Sequence, residues 1–98
     1  MLIRIVKMSF QENKIPLFLT EFEQYKLKIR NVKGCQFLEL YRDINVSTTY
    51  FTYSYWDSEN DLNFYRDSEL FKEVWYKTKI LFNQKPQAWS VETVVSLP

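Results

Sequence analysis

The fold is decided by the stretch from residue 50 to residue 71, which reads YFTYSYWDSENDLNFYRDSELF. Its first part is aromatic, β-branched or small and predicts a strand that ends at Trp56. Ser58 and Ser68 are each followed by acidic residues, which is the pattern of a helix N-cap, so a helix is expected to begin at each serine. A strand that leads directly into two successive helices is therefore the unit around which the chain is arranged.

Hydrophobic periodicity predicts the remaining elements. The four strands are expected at residues 2–10, 35–42, 47–56 and 88–97. A helix is expected at residues 13–30, with Asn13 as its cap and Pro16 in its first turn, where backbone N–H groups lack partners. The helix that begins at Ser68 is expected to end at Pro86.

The order of these elements predicts the topology. Gly34, the only glycine, follows the first helix and is expected to have a positive φ. Residues 43–45 are expected to join the second and third strands as a hairpin. The resulting order, βαββααβ, predicts a ferredoxin-like α+β fold in which helices cover one face of a four-stranded antiparallel sheet. Residues 1–98 are expected to form a single domain.

The other face of the sheet predicts a second copy of the chain. Helices can cover only one face, and the uncovered face would expose more rings and aliphatic chains than monomers usually tolerate. Tyr50, Tyr53 and Tyr55 must divide between the two faces, although periodicity alone does not assign them. We therefore predict a homodimer that forms through the open sheet face.

Composition argues against several classes of partner. The 13 basic and 12 acidic side chains leave a net charge of +1, which provides no general field for nucleic acid. The basic residues near the end of the first helix are explained by the helix dipole. The chain has no run of about 18 apolar residues, so we expect no membrane partner. Cys35 is the only cysteine and cannot form an internal disulfide, so a cytoplasmic location is expected.

The chain contains no histidine, which limits the available chemistry. Histidine is the commonest general base and the commonest metal ligand at neutral pH. With no histidine and no Cys-x-x-Cys pair, we expect no metal and no cofactor. Any proton transfer must then fall to Tyr, Asp, Glu, Lys or a group of the substrate.

Four short motifs resemble the antibiotic biosynthesis monooxygenase family. They are GC at residues 34–35, YRD at 41–43, WDSE at 56–59 and YRDSELF at 65–71, and the resemblance covers nearly the whole chain. It implies a dimeric α+β barrel, in which the sheets of two subunits pack together and each subunit keeps a pocket between sheet and helices. Members include cofactor-independent monooxygenases that act on polycyclic aromatic phenols, quinol monooxygenases and haem-degrading enzymes.

The chain departs from the family at two places. Many members carry histidine in the short helix where this chain has Tyr65. The haem-degrading branch resembles this chain least, because its Asn, Trp and His positions correspond here to Lys7, Tyr65 and Trp75. The resemblance therefore favours an oxygenase without haem.

The candidate site is aromatic. Tyr65 is the candidate catalytic residue, because its phenol could donate a hydrogen bond to a substrate oxygen, although a phenol with a pKa of about 10 is a poor base. The candidate substrate-binding residues are Trp56, Tyr53, Trp75, Phe71 and Arg66. Each has a structural alternative: the rings could simply pack in the core, and Arg66 could be a solvated charge.

Three functions remain open at this point. The first is a cofactor-independent monooxygenase acting on a small aromatic phenol or quinol. The second is a dimeric α+β barrel protein that binds a small molecule without turnover. The third, an RNA-binding ferredoxin-like domain, is disfavoured because the aromatic strand motif of such domains is missing and the charge is nearly neutral.

Overall fold

The computed structural model describes residues 1–98 and contains four strands and three α-helices. The elements are β1 (Leu2–Ser9), α1 (Ile15–Arg30), β2 (Cys35–Arg42), β3 (Thr49–Trp56), α2 (Glu59–Arg66), α3 (Glu69–Lys79) and β4 (Gln87–Val91). A short 3-10 turn at Glu12–Lys14 precedes α1. The βαββααβ order predicted from the sequence is confirmed.

The sheet is antiparallel throughout and has the strand order β2-β3-β1-β4. The register pairs Leu2 with Trp56 at one end of the two central strands and Met8 with Tyr50 near the other. Because side chains alternate along a strand, every second residue of β1 and β3 faces the helices and the others face away. This register decides which residues can contribute to a site beneath the helices.

Both predicted serine caps are confirmed. The Ser58 hydroxyl accepts a hydrogen bond from the Asp61 backbone N–H at 3.2 Å, and the Ser68 hydroxyl accepts one from the Phe71 N–H at 3.1 Å. The prediction that Asn13 caps α1 is wrong. Asn13 lies inside the 3-10 turn, and α1 follows that turn without a side-chain cap.

Gly34 has a φ of +88°, as predicted. A Cβ atom added here would lie 2.5 Å from the Asp61 Cβ, so the first turn of α2 packs against bare backbone. The Gly34 carbonyl also accepts a hydrogen bond from the Asp57 N–H at 2.8 Å. The glycine thus allows the start of β2 and the start of α2 to approach closely.

Several predicted boundaries extend too far: by one or two residues at the end of β1 and the start of β3, and by more at the ends of α3 and β4. Helix α3 ends at Lys79 and does not reach Pro86. The chain leaves the helix because Phe82 pairs with Phe10 in an isolated bridge, with ring centroids 5.3 Å apart. Strand β4 ends at Val91, which pairs with Ile3 near the start of β1. Residues 92–97 were predicted to continue this strand, but almost no β1 backbone remains for them to pair with.

Two clusters of buried side chains form the core beneath the helices. The first consists of Tyr25, Ile29, Cys35, Trp56, Leu62 and Tyr65. The second consists of Met8, Phe10, Phe18, Tyr50 and Leu81. Rings dominate both clusters, as expected for a small domain that must bury a large area with few residues.

The opposite face of the sheet carries no helix and is also aromatic. Phe37 stacks on Tyr55 with a centroid separation of 4.7 Å, and Tyr53 lies 5.5 Å from Tyr55. Trp89 and Val91 on β4 are 44% and 41% exposed. We call the surface formed by Phe37, Tyr41, Tyr53, Tyr55 and Trp89 the open face.

Candidate active site

A cavity of about 270 Å³ lies between the helix-facing side of the sheet and the helices. Side chains from both core clusters line it, including Trp56 from the first and Met8 from the second, so it lies between the two clusters. Its lining is mainly apolar, with a few polar groups on the sheet. A largely apolar cavity with a few polar groups is the usual form of a small-molecule site.

Five of the six predicted site residues line this cavity: Trp56, Tyr65, Arg66, Phe71 and Trp75. Tyr53 does not. It pairs with Ile5 of β1 and Glu39 of β2, one residue out of phase with the cavity-facing positions Thr52 and Ser54. We therefore correct the assignment of Tyr53: it belongs to the open face, as does Tyr55, whereas Tyr50 lies in the core beneath the helices.

Rings form a continuous wall along one side of the cavity. Trp56 stacks on Tyr65 with centroids 5.2 Å apart and planes 21° apart. Phe71 meets Tyr65 edge-on at 5.2 Å and stacks on Trp75 at 5.9 Å. Such rings have few rotatable bonds and fix one another by contact. The wall therefore offers a preformed surface for a flat ligand.

Trp56 is fixed by the sheet as well as by its neighbours. It is 1% exposed, and its indole Nε1 donates a hydrogen bond to the Ser54 hydroxyl at 3.0 Å. Since an indole has only this one donor, the polar end of Trp56 is already occupied. Trp56 can offer a ligand only apolar ring contact, and it also packs against Tyr65 and so helps to position it.

Tyr65 has a phenol whose hydroxyl makes no hydrogen bond within the chain. The residue is 8% exposed and lines the cavity. Burial is the main cause that raises the pKa of the Tyr65 phenol above its ordinary value, and the nearby Cys35 adds to this effect. The phenol therefore keeps its proton at neutral pH. Tyr65 can stabilise a negative oxygen on a ligand, but it cannot act as a general base.

Arg4 is a cavity residue that the sequence analysis missed. It lies on β1 between Ser54 of β3 and Ser90 of β4, on the face that the helices cover. Its Nη1 donates a hydrogen bond to the Ser90 hydroxyl at 3.0 Å. The sequence offers a signal, because Arg4, Val6 and Met8 are spaced two residues apart and therefore lie on the same face of β1.

The cavity is electropositive. Its lining includes Arg4 and Arg66 and no aspartate or glutamate. Burial, and secondly the Arg66 charge, lower the pKa of Arg4. The three ion pairs of the chain join neighbouring turns on helix surfaces and involve neither arginine. No group of three or more side chains is arranged to hold a metal ion.

A ferredoxin-like subunit with an aromatic cavity beneath its helices defines the general class. The family model described as "Antibiotic biosynthesis monooxygenase" matches residues 1–75, which is more than half of the chain. The chain therefore belongs to the antibiotic biosynthesis monooxygenase family, and the resemblance found in the sequence is confirmed. No curated protein matches the chain.

Solved structures share the fold over nearly the whole chain. One described as an antibiotic biosynthesis monooxygenase has a TM-score of 0.90 at 17% identity, covering 97% of this chain and 100% of its own. A conserved protein from Methanosarcina mazei Go1 has a TM-score of 0.86 at 18% identity, covering 92% and 90%. Rv0793 from Mycobacterium tuberculosis has a TM-score of 0.88 at 11% identity, covering 99% and 98%. At these identities the likeness shows a common fold and nothing finer.

None of the three helices combines the length and the apolar character that are needed to cross a lipid bilayer.

Proposed function

We propose that the chain is a cofactor-independent monooxygenase that oxidises a small aromatic phenol or quinol in the cavity beneath its helices. One observation carries this proposal: a chain of this family has a cavity beneath its helices whose wall is a run of contacting rings, with the phenol of Tyr65 among them. The wall consists of flat rings, so a flat aromatic molecule contacts it over a larger area than a flexible aliphatic one does.

The proposed reaction balances without an added reductant. A quinol with a free ring carbon reacts with one O₂ to give a hydroxyquinone and one water; one oxygen atom becomes the ring hydroxyl, and the other leaves as water with the two hydroxyl hydrogens. A phenol with a free ring carbon para to its hydroxyl reacts with one O₂ to give a quinone and one water. One oxygen atom forms the new carbonyl, and the other leaves as water with the ring hydrogen and the hydroxyl hydrogen of the substrate. The substrate supplies all four electrons. The protein then has to bind the ring, exclude bulk water and stabilise the oxyanion from which electrons pass to oxygen.

Tyr65 is the proposed donor to that oxyanion. Its raised pKa keeps the phenol protonated, and neither a carboxylate nor a histidine competes for it in the cavity. Phe71 and Trp75, which are part of the wall, are proposed to contact the ring of the substrate. A hydrogen bond to a charged oxygen contributes about 1.5 to 3 kcal/mol, so loss of the Tyr65 hydroxyl should slow turnover by about tenfold or more.

We further propose that residues 1–98 form one domain and that two chains pair through the open face. This face combines stacked rings with exposed apolar residues of β4, and covering it would remove them from water. An isologous pairing of this kind leaves the cavity of each subunit on its own helix side. A cytoplasmic location, expected from the sequence, remains part of the proposal.

Oxygen uptake tests the proposed reaction. The protein is mixed with a series of dihydroxynaphthalenes without added metal or flavin, and uptake is followed with an oxygen electrode. Val74→Trp, on α3, fills the cavity, and Val46→Trp, on the exposed β2–β3 connection, is the matched control. We expect uptake by the unmodified protein and Val46→Trp, and at least about a tenfold loss in Val74→Trp.

Two results would contradict the proposal. Uptake that is unchanged in a correctly folded Val74→Trp variant would place the reaction outside the cavity. No uptake with any phenol of the series, together with saturable binding of the same phenols, would identify the chain as a small-molecule binder without turnover.

A further inference from the structure

Arg4 is an unusual residue for its place in the fold. It lies on β1, a central strand of the sheet, and faces the layer of buried rings beneath the helices. Arg4 is partly buried there, and arginine side chains are mostly exposed or paired, because removing even part of an unpaired charge from water costs free energy. An aliphatic side chain in this place, like its neighbour Val6, would avoid that cost. The presence of arginine therefore requires a reason other than packing.

The contacts within the chain do not supply that reason. A guanidinium group carries five N–H donors, and the Ser90 hydroxyl accepts from one nitrogen of Arg4. This bond joins β1 to β4, but the backbone already pairs those strands over five positions. No ion pair involves Arg4. Most of the hydrogen-bonding capacity of Arg4 is therefore free for a group that enters the cavity.

The second charge of the cavity has the same sign. Arg66, the last residue of α2, is exposed and also lines the cavity, so it lies where the cavity opens to solvent. The groups that face the cavity from α1 and α3 are apolar apart from the Trp75 indole N–H and the Thr78 hydroxyl, and the latter donates to the Val74 carbonyl at 2.7 Å. The guanidinium groups of Arg4 and Arg66 thus both line one largely apolar cavity that contains no carboxylate. A bound anion stabilises such a pair of positive charges.

We propose that the cavity binds its ligand as an anion: a flat aromatic molecule whose carboxylate or ionised phenol oxygen is held by Arg4 and Arg66. The rings of Phe71 and Trp75 contact the apolar body of this molecule, and Tyr65 donates to the same charged end. The inference rests on the proposed function in one respect, namely that both use this cavity.

An anionic ligand also removes a difficulty of the proposed reaction. The cavity has no side chain that can act as a general base, because Tyr65 stays protonated and no carboxylate lines the space. Positive charge beside a phenol lowers the pKa of that phenol, because it stabilises the ionised form. The substrate can then lose its proton to water and bind as the anion, so a basic side chain is not required.

Calorimetry with a matched pair of probes tests the proposal. 2-Naphthoate and 2-naphthamide have the same ring and nearly the same shape, but only the first is an anion. We expect 2-naphthoate to bind at least about tenfold more tightly than 2-naphthamide, since hydrogen bonds to charged groups are the stronger ones. Arg4→Gln should reduce this preference to within about twofold, whereas Arg4→Lys keeps the charge and should retain part of it.

Two further variants complete the design. Arg42→Gln, at the exposed end of β2, removes an arginine that does not line the cavity and should leave the preference unchanged. Arg66→Gln, at an exposed position, should reduce the preference even if Arg4→Gln fails to fold. Equal affinity for the two probes, or a preference that survives both Arg4→Gln and Arg66→Gln, would overturn the proposal.

The outcome is separable from that of the oxygen-uptake experiment. A preference for the anion without uptake of oxygen would support the anion site and remove the proposed reaction. Uptake with dihydroxynaphthalenes, combined with no preference for 2-naphthoate and no effect of Arg4→Gln on turnover, would support the reaction and remove the anion site.

Discussion

The two faces of one sheet use the same kinds of residue for different purposes. On the covered face, the rings of Trp56 and Tyr65 are buried beside a cavity with free arginine donors. On the open face, Phe37, Tyr53 and Tyr55 stack on one another without a helix above them. Along β3, Ser54 and Trp56 of the covered face alternate with Tyr53 and Tyr55 of the open face, so a change of one residue in register moves a ring from one environment to the other.

This comparison teaches that residue type alone does not reveal a role in an aromatic-rich chain. The pKa of a tyrosine is raised on each face, but for different reasons. Burial raises the pKa of Tyr65, whereas a hydrogen bond to the Glu39 carboxylate is the main cause that raises the pKa of Tyr41 to about 12. On the covered face, the pKa of a tyrosine is raised mainly because the ring is removed from water. On the open face, it is raised mainly by contact with a neighbouring side chain.

The largest expected effect is on the covered face. Trp56→Ala removes the ring that packs against Tyr65, and large-to-small changes of this kind lower the free energy of unfolding by about 3 to 5 kcal/mol. Phe64→Ala on α2 is the matched control, since Phe64 is 75% exposed and its loss should change stability by less than about 0.5 kcal/mol. Urea unfolding measures both variants. Similar small losses in the two would show that the covered face is not the packed side.

The next effect concerns the open face. Tyr55→Glu places a charge among stacked rings, and we expect it to weaken self-association by at least about thirtyfold while the subunit stays folded. Tyr76→Glu on α3 is the control, because Tyr76 is 62% exposed and lies on the helix side. Sedimentation equilibrium gives the association constants. A wild-type protein that remains monomeric at high concentration would contradict the proposed pairing.

The smallest expected effect concerns the pH dependence of stability. Because the pKa of Tyr65 is raised in the folded state, its contribution to stability is fully present below about pH 10 and is lost as the pH rises towards the folded pKa. The wild type should therefore lose stability more steeply than Tyr65→Phe above about pH 10. At neutral pH the two should differ by less than about 1 kcal/mol, since the phenol has no hydrogen-bond partner within the chain to lose.

Urea unfolding at a series of pH values checks this prediction, with Tyr76→Phe as the control for an exposed tyrosine. Parallel pH dependence of the wild type and Tyr65→Phe would indicate that Tyr65 is not buried as described.

Local signals in the sequence predicted much of the fold. Ser58 and Ser68 fix the helix starts through contacts within three residues, and Gly34 fixes a turn through its own backbone. The predictions of element boundaries failed where contacts between residues distant in sequence determine the structure. The end of α3 depends on Phe10 and the bridge it makes to Phe82, and the sequence around Lys79 carries no sign of that pairing.

The candidate site, like the fold, could be predicted only where residues close together in sequence determine it. Trp56, Tyr65 and Phe71 follow one another along the decisive stretch, and their neighbourhood could be inferred from it. Tyr53 was misplaced because period-two alternation does not say which set of residues faces the helices. Arg4 was missed because the cavity that it lines is formed with residues distant in sequence, such as Tyr65 and Trp75.

One crystal structure of the protein grown with 2-naphthoate tests the contrast between the two faces most directly. The account predicts ligand density beneath the helices, with its carboxylate facing Arg4, and a two-fold axis that brings the open faces of two chains together. Density for the ligand against the rings of the open face, with the cavity unfilled, would contradict it.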